Sequence, residues 1–204
     1  MMEELYEILK YKRPYGSSEE EMCIAMHLDI IPGIKKDDFG NRMITVGENP
    51  TVLFSSHTDT VHRKGGTQTI CNDLEKQVLY KDDDECLGAD DGAGMWLMIN
   101  MINEKIPGLY IFHRGEECGV LGSSYIAHET PEILDNITKA IAFDRRGTKD
   151  IINRQAGGKC CSQEVVDSLS EALDMGHSAA TGSFTDTANY TRLVEEGTTV
   201  SCGY

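Results

Sequence analysis

Apolar positions along the 204-residue chain recur with two alternating periods. From Met2 to Lys12, Leu5, Ile8 and Leu9 fall at helical spacing, and Pro14-Tyr15-Gly16 ends the segment. A second helix opens at Ser17 or Ser18, each followed three residues later by a glutamate, the pattern of a capping box. It carries Met22, Ile24, Ala25, Met26 and Leu28 towards Ile31-Pro32. "IKKDDFGNRMITVG" then reads as a hairpin turning at Gly40-Asn41, and "TVLFSS" (Thr51 to Ser56) as a short buried strand rich in β-branched residues. Thr67 to Leu87 forms a hairpin or loop excursion whose acidic tip, Asp82-Asp83-Asp84-Glu85, is a solvated turn.

Helical spacing returns from Ala93 to Glu104, where Met95, Leu97, Met98, Met101 and Ile102 supply core filler. "GLYIFH" is a strand, Val120 to His128 a helix, "TKAIAF" a strand, Gln163 to Met175 a helix and "TTVSCGY" a last strand. Apolar strands alternating with helices predict an α/β fold: a three-layer α/β/α sandwich on a mixed, mostly parallel central sheet. The length suits one packed domain spanning residues 1–204.

Charge narrows the partners. With 34 acids against 19 bases the net charge is −15, which repels phosphate backbones. Lys35-Lys36, Arg63-Lys64 and Arg145-Arg146 are too short and scattered to make a basic patch, so nucleic acid is not expected as a partner. The seven cysteines are odd in number and contain no C-x-x-C pair. That argues against a disulfide framework or zinc finger and for a reducing cytoplasm. "MMEELYEILK" has no basic segment followed by an apolar one, and no apolar run approaches the ~20 residues that span a bilayer. A soluble cytoplasmic protein without a membrane partner is the expectation.

Five polar patches punctuate the predicted strands: His57-Thr58-Asp59, Asp90-Asp91, Glu116-Glu117, Asp144 and Thr185-Asp186-Thr187. Singly, three of them have a bland account. His57 could be a satisfied core histidine, Asp90 or Asp91 an N-cap, and Asp144 the partner of a neighbouring arginine. Glu116-Glu117 resists that treatment, because glycines bracket the pair and adjacent carboxylates repel. One of the two can then stay ionised on a metal while the other, its pKa raised, moves protons. The intervals from 57 to 90, 90 to 116 and 117 to 144 each hold a helix or hairpin and a return strand, so the patches can meet in one crevice. Mixed imidazole and carboxylate ligation without cysteine favours zinc, and several carboxylates around one position suggest two ions. No G-x-S-x-G elbow, Walker motif or G-x-G-x-x-G loop competes.

In order and context, "SSHTDTV", "LGADDGAG", "RGEECGVLGS" and "AFDRRG" resemble the successive motifs of the co-catalytic zinc exopeptidases. That superfamily includes aminopeptidases, peptidase T-like tripeptidases, carboxypeptidases and amino-acid deacylases. The resemblance runs from about Val52 to Asp144 and resumes at "TGSFTDTANY". It implies that His57 binds one zinc with Asp59 orienting it, and that Asp90 bridges two zincs, its bond to Asp91 being cis. Glu116 is then the general base, Glu117 a ligand of the second zinc and Asp144 the remaining ligand of the first. The family completes the second zinc with a histidine shortly after the last core strand. Up to Tyr204 this sequence offers none there, so the domain is expected to end short of that ligand and the second site to be one ligand short. Of the other histidines, His27, His62, His113 and His128 are poorly placed, and His177 is the one to consider. Family members often insert a lid or dimerisation domain after the third ligand. With about 40 residues between Asp144 and Thr185, that insertion is expected to be absent.

The resemblance thus implies a zinc-dependent hydrolase of peptide or N-acyl amide bonds, most simply an aminopeptidase-like exopeptidase acting on a peptide or N-acyl amino-acid substrate. The alternative is an inactive or single-metal scaffold that serves as a metal-binding or interaction protein. Side-chain preference and oligomeric state are not legible in the sequence.

Overall fold

The computed structural model describes residues 2–174 and 176–204. The first half of the chain forms α1 (Met2–Leu9), β1 (Tyr11–Lys12), α2 (Ser18–His27), β2 (Lys35–Lys36), β3 (Arg42–Val46), β4 (Val52–His57), β5 (Gly66–Thr67), β6 (Cys71–Asp73) and β7 (Val78–Tyr80). Then come α3 (Ala89–Asn103), β8 (Gly108–His113), α4 (Leu121–Glu129), β9 (Lys139–Ala142), β10 (Asp150–Gln155), β11 (Gly158–Lys159), α5 (Gln163–Leu173), β12 (Ser178–Thr181) and β13 (Glu196–Thr199). Met175, the last residue of the helix read from the sequence, lies outside the described residues.

Six strands make the central sheet in the order β13-β9-β4-β8-β3-β2. The first four run parallel, and β3 and β2 close one side antiparallel. Every residue of β8 is buried, because both faces of the sheet are covered. Alternation sends Tyr110 and Phe112 to one side, where they pack with Ile8, Ile24, Met95 and Met98 from α1, α2 and α3. Leu109 and Ile111 go to the other side, against Ile126 of α4, Leu134 and Tyr190. This is the expected three-layer α/β/α sandwich.

The differences from the sequence reading have local causes. The first helix stops at Leu9, and the next residues extend to pair with β5, Tyr11 opposite Thr67 and Lys12 opposite Gly66. α3 begins at Ala89, but Asp90 and Asp91 have non-helical backbone and the bond between them is cis, so regular helix starts close to the predicted Ala93. The last strand ends at Thr199. Beyond it, the segment to Tyr204 runs beside residues 145–150. The stretch after Asp144 does hold a small excursion: β11, β10 and β12 form a three-stranded sheet beside α5. Its core, Ile151, Ile152, Cys160, Cys161 and Val166, runs on into Ile141 and Phe143 of the main body. Cys160 and Cys161 are free, buried thiols, and burial pushes Cys161 up to about 12. No described helix is long and apolar enough to cross a membrane.

Candidate active site

β4, β8 and β9 are parallel neighbours, so their carboxyl ends open at one edge of the sheet. His57 is the last residue of β4, Glu116-Glu117 follow β8 by three residues, and Asp144 follows β9 by two. Asp90 arrives from the entrance to α3. Convergence follows from this topology. His57 Nε2 lies 3.1 Å from Asp90 Oδ1 and 3.8 Å from Asp144 Oδ1. Two ligand-like groups share the imidazole: His57 with Asp90 and Asp144, and His57 with Glu116 and Glu117, the donor atoms of each lying within 4.8 Å of one another.

The imidazole is fully held. His57 Nδ1–H donates to the carbonyl of Asp59 at 3.1 Å, with a carboxylate oxygen of Asp59 3.5 Å away. That leaves Nε2 aimed at Asp90 and Asp144. The Asp59 carboxylate has a further task, accepting the backbone N–H of Glu116 at 3.0 Å and of Glu117 at 3.2 Å. Asp59 therefore ties the end of β4 to the glutamate loop. Asp91 is buried, its carboxylate accepting from the backbone of His57 and of Gly94.

Electrostatics set the carboxylates apart. Burial, reinforced by Asp186, Asp144 and Glu117, pushes Glu116 up to about 8 against the pull of His57. Glu117 rises to about 7, again chiefly through burial. Burial would lower His57, yet its bonds to Asp144, Asp59 and Asp90 hold it well above the usual imidazole range. Burial also acts to raise Asp90, but its contact with His57 outweighs this and lowers it. Among the described residues no lysine or arginine pairs with these carboxylates. Arg145, on the wall of the same cavity, is committed to Asp150 at 2.8 Å. An imidazole and four clustered carboxylates without a protein cation form a donor set suited to divalent metal.

Two buried side chains that the sequence reading did not single out brace this arrangement. Arg13 is wholly buried and donates only to carbonyls: Thr58 and Gly88 at 3.0 Å each, Ile8 at 2.8 Å and Tyr11 at 3.4 Å. It thereby links the loop after His57 to the loop before Asp90. Glu20, also wholly buried, accepts from Gly16 N, from Thr58 Oγ1 and twice from the Arg114 guanidinium. Thr58 adjoins His57 and Arg114 leads into Glu116, so Glu20 joins α2 to both active loops. Read as a capping residue, Glu20 does half of that work: its own N–H donates to Ser17 Oγ at 3.1 Å, while its carboxylate goes to this network.

The fifth patch divides: Thr185 lines the cavity beside the carboxylates, whereas Asp186 turns to His113. Asp186 Oδ2 and Ser55 Oγ are each 3.1 Å from His113 Nδ1, and His113 Nε2 pairs with Tyr190 OH at 2.7 Å. His113 is thus consumed by a buried polar chain. His177 belongs to neither ligand-like group and does not line the cavity. The cavity beside the cluster, about 270 Å³, is lined by Asp90, Glu116, Glu117 and Asp144 together with Ile152 and Phe184. Tyr204 also lines it, and its hydroxyl donates to Asp144 Oδ1 at 3.0 Å.

The family model for peptidase family M28 matches residues 42–192. No curated protein matches the chain. Among solved structures, the fold is similar to that of the TET1 peptidase of Pyrococcus horikoshii, with a TM-score of 0.68 and 15% identity over 99% of this chain and 90% of that one. Aminopeptidase APDkam598 of the archaeon Desulfurococcus kamchatkensis gives 0.65 and 14% over 99% and 87%. Aminopeptidase PepT of Bacillus cereus gives 0.58 and 22%, over 76% of this chain and 45% of that one. At these identities the likeness speaks for the fold.

Proposed function

Because the chain belongs to peptidase family M28, within the co-catalytic zinc exopeptidase superfamily, we propose that this peptidase is a zinc-dependent, aminopeptidase-like exopeptidase. The observation that carries the reading is the convergence of His57, Asp90, Glu116, Glu117 and Asp144 at the carboxyl edge of β4, β8 and β9. His57, Asp90 and Asp144 would hold one ion, and Glu117 with Asp90 would serve a second. When bound, such a metal centre polarises the scissile carbonyl and acidifies the attacking water.

The remaining chemistry belongs to the side chains. Glu116 is the general base: it takes the proton of the attacking water and returns it to the leaving amine. Without metal its carboxyl is pushed up to about 8 by burial; bound cations would draw it down towards the range in which it is ionised and can accept a proton at neutral pH. Asp59 holds Glu116 and Glu117 in register through their backbone N–H groups and so fixes the base relative to His57. The cavity of about 270 Å³ beside the carboxylates receives the terminal residue of a peptide substrate. An odd cysteine count without a C-x-x-C pair supports a reducing compartment, in line with a cytoplasmic enzyme.

The test pairs metal with turnover. Purified protein is expected to hydrolyse aminoacyl-anilides, to lose that activity with a chelator, and to regain it with zinc. His57→Ala should abolish the regain and remove at least one equivalent of zinc by elemental analysis. Hydrolysis of N-acetylated amino acids in place of free-amine substrates would turn the reading to a deacylase. Turnover unaffected by chelator or by His57→Ala would refute it.

A further inference from the structure

We propose that Tyr204 is a positioning residue of the metal centre: its phenol holds the Asp144 carboxylate in the orientation from which it binds a cation. The inference rests on the reading above only in requiring that Asp144 and His57 share an ion.

The phenol donates to Asp144 Oδ1 at 3.0 Å, and the same oxygen faces His57 Nε2 at 3.8 Å. A carboxylate oxygen has two lone pairs. Taking one with a neutral donor restricts the rotation of the carboxylate and leaves the other free for a cation held beside His57. Phenols remain protonated at neutral pH, so the contact persists as a donated hydrogen bond. Among the described residues the Asp144 carboxylate is shared by this phenol and His57; the phenol also reaches Asp90, and Arg145, the neighbour of Asp144, is turned to Asp150.

The placement of the ring is built into the backbone. After β13 the chain turns back along residues 143–150, and every residue from Ser201 to Tyr204 is tied there. Ser201 N donates to Asp150 O at 3.0 Å and Cys202 N to Arg145 O at 3.2 Å. Gly203 N donates to Gly147 O at 2.9 Å and Gly147 N to Tyr204 O at 2.7 Å. The Ser201 hydroxyl reaches Arg146 O, and the Cys202 thiol Phe143 O. The segment that carries the phenol is thus stitched to the segment that carries Asp144. Half-buried, Tyr204 also lines the cavity shared by the four carboxylates. Groups that orient a ligand through hydrogen bonds typically change metal affinity 10–100-fold when removed.

Tyr204→Phe deletes the donor and keeps the ring. Wild type and variant are first stripped with chelator and then titrated with zinc against a competing chromophoric chelator, with visible spectra recorded after cobalt substitution. The expected result is a loss of about 10–100-fold in affinity for one equivalent, an altered cobalt spectrum, and an unchanged unfolding midpoint of the stripped protein. Equal zinc affinities and superimposable cobalt spectra would overturn the proposal. So would a lowered midpoint of the stripped variant accompanying the weaker binding, since the hydroxyl would then be supporting the fold. A wild type that takes up no zinc would overturn the peptidase reading itself, and that arm is settled before the variant is compared.

Discussion

Replacing Glu20 with alanine should destabilise the protein by about 3 kcal/mol, a cost set by what the side chain leaves behind. The carboxylate is wholly buried and accepts four hydrogen bonds: Gly16 N at 2.6 Å, Thr58 Oγ1 at 2.7 Å, and Arg114 Nη2 and Nε at 2.7 and 3.2 Å. Removing one partner of a buried ion pair costs about 3–5 kcal/mol, because the other charge stays desolvated. Two features argue for the lower end. Arg114 keeps Glu21, whose half-exposed carboxylate lies 2.6 Å from Nη1, and Thr58 keeps the carbonyl of His113 at 3.2 Å. For a chain of this size, about 3 kcal/mol corresponds to a fall of roughly 6–12 °C in Tm. Urea unfolding of chelator-treated protein, followed by circular dichroism, measures it directly. Glu20→Leu combined with Arg114→Met should recover much of the loss, since neither charge is then buried alone. A single-variant loss below about 1 kcal/mol, the range of an exposed pair, would refute the claim that Glu20 anchors both active loops.

Further outcomes follow from the same geometry. Glu116→Gln should lower kcat by about 10²–10⁴-fold with zinc content unchanged, whereas Glu117→Ala should reduce zinc content as well; elemental analysis beside a rate assay separates the two roles. Arg13→Met strips donors from the buried carbonyls of Ile8, Tyr11, Thr58 and Gly88. At about 1–3 kcal/mol for each buried group left unsatisfied, a loss of at least roughly 3 kcal/mol in urea is expected, with Arg13→Lys intermediate. His27 is held below its ordinary value of 6.5, chiefly by burial. Below that pH the unfolded chain therefore binds a proton that the folded chain resists. Relative to His27→Leu, wild type should lose stability as pH falls from about 6.5 towards 5, and parallel urea midpoints across that window would contradict it.

Much of this arrangement was legible in the chain, for identifiable reasons. "GLYIFH" and "TVLFSS" are covered on both faces, and continuous apolar runs of that length have few other homes. Polar residues that break such runs must lie at strand ends, which is why His57, Glu116, Glu117 and Asp144 could be grouped from spacing. Asp186 shared the same signal but took a different partner: its carboxylate went to His113 on the neighbouring β8. Only tertiary register decides that. The strands β10 and β12 escaped notice because "SAAT" carries no bulky apolar residue and Ile151-Ile152 stand alone between polar neighbours. Arg13 and Glu20 were illegible for a deeper reason. A charged residue in sequence reads as surface, and its burial shows only once the carbonyls of Thr58 and Gly88, or the guanidinium of Arg114, are brought to it. One trace of Glu20 did exist. A capping-box glutamate is read as bonding to its own helix, and here the carboxylate reaches beyond that first turn.

The β6–β7 hairpin pairs only with itself among the described strands, and it lies in the chain between His57 and Asp90. Its two ends are pinned independently of its tip. Gln68 donates to the carbonyls of Leu9 and Leu87, and Arg13 holds Thr58 and Gly88. The tip can therefore be exchanged as cargo: doubling the length of such a loop adds only about 0.6 kcal/mol of closure entropy. A foreign peptide or a small binding module grafted between Asp73 and Val78 would ride on the protein while leaving His57, Asp90 and their neighbours in place.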